Sequence, residues 1–139
     1  MQPLKDIYYR HIQEQCEAYN LSIASINANF TDEDCFEHLL LRDKYRLPKE
    51  HSPYHSAIMR LKDIDSCLSF RDMLLVIQQC FSEAKIDCLI SHEGRVELAA
   101  MDEILPVMIF ITIRAAVPNF PVLVKIMDDY VRSKTAFEQ

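Results

Sequence analysis

Asp102 and Glu103 stand side by side at the front edge of the most hydrophobic stretch of the chain, which runs from Ile104 to Ile113. Acids favour helix N-termini, where they meet free N–H groups and complement the helix dipole. A proline close behind, here Pro106, is equally ordinary near a helix start. On residue types alone the pair reads as helix-start acids.

The other residues with chemical potential form no constellation. His51 and His55 are four apart, but Pro53 lies between them, no acid follows in an HExxH arrangement, and no cysteine stands near to complete a zinc site. Five cysteines (Cys16, Cys35, Cys67, Cys80 and Cys88) make an odd set without CxxC spacing. In a reducing compartment they read as small hydrophobes, with no disulfide and no metal expected. There is no GxSxG elbow, and a chain with one glycine holds neither a P-loop nor a dinucleotide fingerprint. No cofactor is expected.

Charge narrows the partners. The formal net charge of −6 argues against general nucleic-acid binding, which depends on clustered Lys and Arg to neutralise phosphates. The densest basic patch, Arg42-Asp43-Lys44-Tyr45-Arg46, is interrupted by an aspartate and reads as a solvated turn. The apolar run ending before Arg114 is too short to span a membrane. The expectation is a cytoplasmic, soluble chain.

The elements that must position these residues read as helices. At 139 residues the chain suits a single domain with a real core, since half of it is apolar. Scarcity of glycine disfavours hairpins and barrels. Leu4, Ile7, Tyr8, Ile12, Cys16, Tyr19, Ile23 and Ile26 follow helical steps of three and four. Thr31 with Asp34 offers a cap for a short helix carrying Phe36, Leu39 and Leu40. The stretch 47–53 reads as a loop, and Ser52-Pro53 as the start of a helix facing inward through Ala57, Ile58, Leu61 and Ile64. Ser69 with Asp72 starts the next helix, with Met73, Leu74, Ile77, Cys80, Phe81 and Ala84 inward, and Gly94 marks the turn after it. The 104–113 segment is ambiguous, because its β-branched run also suits a strand. As a helix apolar on all sides, it would have to be the central, surrounded one. After Pro118-Asn119-Phe120-Pro121, helical spacing resumes through Val122, Leu123, Ile126, Met127, Tyr130 and Val131.

Three blocks together carry a family resemblance. Asp102-Glu103-Ile104-Leu105-Pro106-Val107-Met108-Ile109-Phe110 resembles the VPS9 signature, in which an acidic pair precedes a Leu-Pro and an apolar helix. Ile113-Arg114-Ala115-Ala116-Val117-Pro118-Asn119-Phe120 is similar to the stretch that follows it. Upstream, Ala57 to Ile64 and Ser69 to Leu74 look like the family's helix-turn-helix, and Lys125 to Tyr130 fits its next helix. The matched region runs from about residue 53 to 132.

The resemblance implies an all-α, layered bundle of about five to six helices, with 104–113 helical. It divides the chain into N-terminal helices at 1–50, without a family counterpart, and a VPS9-like core at 51–139. It implies guanine-nucleotide exchange on Rab5-type small GTPases in endosomal trafficking, with recruitment to early endosomes. Asp102 matches the family's catalytic acid. The partner surface near the signature would take in Glu103, Pro106, Phe110, Arg114, Pro118 and Asn119. In the family a further helix carries a tyrosine and a nearby Thr or Ser that face the GTPase, and no such element follows Tyr130 here. The resemblance therefore leaves open a second function: a VPS9-like interaction module that binds a GTPase or another trafficking partner without catalysing exchange.

Overall fold

The computed structural model of the protein describes residues 2–47 and 52–138. Among the described residues there are seven α-helices and no strand: α1 (Gln2–His11), α2 (Gln13–Asn29), α3 (Asp32–His38), α4 (His55–Lys62), α5 (Phe70–Ser91), α6 (Met101–Ala115) and α7 (Phe120–Glu138). Two short 3-10 turns, Asp43–Tyr45 and Asp63–Ser66, lie between α3 and α4 and between α4 and α5. The expected all-α class holds. His51 and most of the 47–53 loop fall outside the described residues.

Local hydrogen bonds explain where several helices begin and end. Thr31 and Asp34 form a complete capping box: the Thr31 hydroxyl accepts from the Asp34 N–H at 3.1 Å, and the Asp34 carboxylate accepts from the Thr31 N–H at 3.0 Å. The Ser69 hydroxyl accepts from the Asp72 N–H at 3.1 Å and opens α5. Gly94, at φ 79°, closes the turn after α5 by donating to the Leu89 carbonyl at 2.7 Å.

Four expectations are corrected, the first being that the helix after Thr31 carries Leu39 and Leu40: α3 ends at His38, and Leu40 lies exposed beyond it. The N-terminal periodicity is carried by two helices, because the backbone breaks at Ile12 (φ −125°, ψ 32°). The start at Ser52-Pro53 moves downstream to His55, behind Tyr54 at φ 58°. Tyr54 is buried, and its hydroxyl donates to the Tyr45 carbonyl at 2.6 Å. That long-range anchor fixes the backbone where a serine cap would not. In α5, Val76 faces the core and Leu74 lies exposed.

One hydrophobic cluster joins α2 to α7, from Cys16 in α2 and Phe36 in α3 to Ile126 in α7. Phe110 of α6 is its hub. Its ring lies 4.8 Å from Phe36 and 6.3 Å, edge-on, from Tyr54. Aromatic pairs at these separations add to the area they bury. Ile104, Val107, Phe110, Ile111 and Ala115 form the buried stripe of α6, which packs on α4 and α2. The helix is not surrounded, however. Leu105 is 56% exposed and Ile109 41% exposed, so α6 has an inner and an outer apolar face.

Candidate functional site

The first turn of α6 holds the acidic pair. Ala100 is the N-cap residue, with no side-chain cap, and its carbonyl accepts from the N–H groups of Glu103 at 3.0 Å and Ile104 at 2.9 Å. Asp102 and Glu103 are thus the second and third residues of the helix and stand in the field of its open N–H groups. Their side chains diverge. The Asp102 side chain is exposed and has no hydrogen-bond or ion-pair partner among the described residues. Glu103 turns inward, where it accepts from the Tyr45 hydroxyl, from Arg42 at 3.0 Å, and pairs with Lys44 at 3.5 Å.

This clasp accounts for the basic patch. Arg42 to Tyr45, expected as a solvated turn, docks onto the start of α6. Tyr45 is 1% exposed, and its carbonyl is taken by Tyr54 while the Lys44 carbonyl meets the His92 ring. The Tyr45 hydroxyl, followed by Lys44 and Arg42, holds the Glu103 carboxyl below the usual glutamate range. Burial, reinforced by Glu103, pushes the Tyr45 hydroxyl up.

Pro106 shapes the same turn from within. It lies inside α6 and has no N–H, so the Asp102 carbonyl loses its partner four residues on. Asp102 therefore occupies a turn whose side chain is unpaired and whose backbone bonding is reduced. Leu105 and Ile109 follow it at steps of three and four, which places all three on one helix face. Leu40, Leu41, Arg42, Tyr45, Asp102, Glu103 and Pro106 line a small recess of about 50 Å³. The site offers an unneutralised carboxylate flanked by aliphatic side chains. That suits recognition of a protein surface and displacement of an anion.

The remaining candidates divide between surface and interior. Pro118 is exposed and Pro106 half-buried. Phe110, expected at the partner surface, is corrected to a core residue, since its ring is fully buried between Phe36 and Tyr54. Arg114 is engaged internally by Asp32, Asn27 and the Phe30 carbonyl. Asn119, at φ 55°, pairs with Asn20 through its side chain at 2.8 Å and its N–H at 3.0 Å.

Nucleophilic chemistry finds no support in the thiols. Cys16, Cys35, Cys80 and Cys88 are buried and Cys67 is half-buried, all five unbridged. Burial pushes Cys80 up to about 11. No group of three potential metal-ligating side chains occurs among the described residues.

Sequence reasoning missed Leu40, Tyr45, Leu105 and Ile109. The last two were accessible, since 102, 105 and 109 share a helix face. Leu40 and Tyr45 reach Asp102 and Glu103 only through the fold.

The family model of the Vacuolar sorting protein 9 (VPS9) domain matches residues 54–139, a span that contains α4 to α7 and the acidic pair. Comparison with curated proteins gives no match. Comparison with solved structures gives none either.

Proposed function

Because this chain belongs to the VPS9 domain family, whose members act on Rab5-type GTPases, we propose that it is a guanine-nucleotide exchange domain with Asp102 as its catalytic acid. The observation that supports this reading is the contrast within the acidic pair: Glu103 is clasped by Tyr45, Arg42 and Lys44, while Asp102 is exposed and, among the described residues, unpaired, one helical turn from Leu105. A Rab5-type partner implies work in endosomal trafficking, from the cytoplasmic face of early endosomes.

Exchange needs no covalent step. A small GTPase holds its nucleotide through Mg²⁺ and a P-loop lysine that bridges the phosphates. Docking on the outer face of α6 brings the Asp102 carboxylate to that phosphate site. There it competes for the lysine and repels the phosphates. The nucleotide-free complex is stabilised relative to the nucleotide-bound one, so the population shifts towards release. Among the described residues Asp102 has no internal partner to break before it reaches that lysine.

Nucleotide release from a panel of Rab GTPases tests the proposal. Wild-type protein should accelerate release from a Rab5-type member. Asp102→Asn removes the charge at nearly constant size and should cut stimulated release about 100-fold, the scale seen on deleting a preorganised electrostatic group. Glu103→Gln should retain most of the stimulation. Full activity in Asp102→Asn overturns the catalytic role. Wild-type binding without release replaces exchange with the interaction-module reading.

A further inference from the structure

Leu40 is 84% exposed and sits at φ 55°, in the left-handed region. It occupies the position just past the end of α3. There its N–H donates to the Glu37 carbonyl at 3.1 Å, and the Leu41 N–H donates to the Phe36 carbonyl at 2.9 Å. This is a Schellman arrangement, and its left-handed position is ordinarily glycine, which has no Cβ to strain. Leu41 and Phe36 supply the accompanying hydrophobic contact, both buried. The motif therefore closes without any help from the Leu40 side chain. Leucine here carries two costs together, a strained backbone and a solvated isobutyl group, and at 84% exposure little packing among the described residues offsets either.

Position supplies the compensation. Leu40 lines the recess that also holds Asp102 and Pro106, and Asp102 lies one helical turn from the exposed Leu105. We infer that Leu40 is a partner-contact residue that widens the GTPase-docking surface beyond the signature helix. It belongs to the segment before residue 54, outside the family match, so it would set how strongly this chain binds a given Rab5-type GTPase. The inference rests on the exchange reading for its partner. An exposed leucine beside the acid meets an apolar patch of the GTPase when the carboxylate reaches the phosphate site. Leu40 takes no part in expelling the nucleotide.

Leu40→Gly is the informative variant, because it removes the side chain while relieving the backbone. Binding to a Rab5-type GTPase stripped of nucleotide should weaken about tenfold, as expected on losing one buried leucine contact. The maximal release rate at saturation should stay at the wild-type value, and the thermal midpoint should hold or rise. Leu40→Met should restore binding, since an unbranched apolar chain fills the same contact. Leu40→Gly binding as tightly as wild type overturns the inference, while loss of release in Asp102→Asn then leaves the exchange reading standing. Wild-type protein that neither binds nor discharges any GTPase in the panel overturns both.

Discussion

The Tyr45 hydroxyl donates to the carboxylate of Glu103, which fastens a 3-10 turn before α4 to the first turn of the helix that presents Asp102. Two residues 58 apart in sequence thus decide which of two adjacent acids is free. Arg42 and Lys44 complete the clasp from the same turn. The free acid is defined by its neighbour's confinement.

Tyr45→Phe keeps the ring packing and removes the donor. Glu103 then loses the bond that contributes most to its lowered pKa. A carboxyl whose folded value lies below its unfolded one contributes stability that is present above the unfolded value, near 4.5, and is lost as pH falls through the folded value. Asp34, held by the Thr31 N–H and hydroxyl, and Asp129, held by the Tyr8 hydroxyl and Lys125, act with the same sign. Wild-type stability should therefore decline on acidification below that range. Tyr45→Phe should be less stable near neutrality and lose less on the way down, as urea melts at about pH 7 and about pH 3.5 would read. Parallel curves for the two proteins would refute the clasp.

The two-faced nature of α6 makes opposite demands on neighbouring positions. Val107 is fully buried, so Val107→Asp leaves an unpaired charge in the core at a cost of several kcal/mol and should abolish the cooperative melt. Leu105→Asp lies on the outer face. It should change stability by at most about 1 kcal/mol while weakening binding to a nucleotide-free Rab5-type GTPase. Circular dichroism melts and a binding titration check both. Unfolding of Leu105→Asp would mean that α6 is enclosed on all sides.

Helix boundaries were legible wherever one local hydrogen bond sets them. Thr31 with Asp34, Ser69 with Asp72, and Gly94 all act within a few residues of themselves. The start of α4 was misplaced because Tyr54 is governed by Tyr45, nine residues upstream. The faces of α6 were illegible for another reason: when leucine, isoleucine and valine lie on every side, periodicity carries no sign of which side meets water. Asp102 was found through the company it keeps in the signature. Its freedom, and the reason Glu103 lacks the same freedom, depend on a turn whose sequence suggested only a solvated patch. Phe110 and Arg114 lie in the same signature region, but the fold turns both inward.

Arg114 gives the sharpest test of that inward assignment. Its guanidinium donates through Nε to the Asp32 carboxylate at 3.0 Å, through Nη1 to the Asn27 side-chain oxygen at 2.7 Å, and through Nη2 to the Phe30 carbonyl at 3.0 Å. It also lies over the Phe110 ring, 5.6 Å from the centroid. Asn27 returns a bond to the Ile113 carbonyl at 2.8 Å, so α6 is riveted to the junction of α2 and α3. A planar fork can meet three acceptors in different directions, whereas a lysine brings one point charge to one place. Arg114→Lys should therefore cost about 1–3 kcal/mol despite conserving charge, the range for losing hydrogen bonds to buried and charged groups. A cycle with Asp32→Asn should show coupling, because the two changes break one shared contact. Kept below its melting range, Arg114→Lys should bind and discharge a Rab5-type GTPase as wild type does. The opposite pattern, unchanged stability with weakened binding, would return Arg114 to the partner surface and detach it from the α2–α3 junction as a functional element.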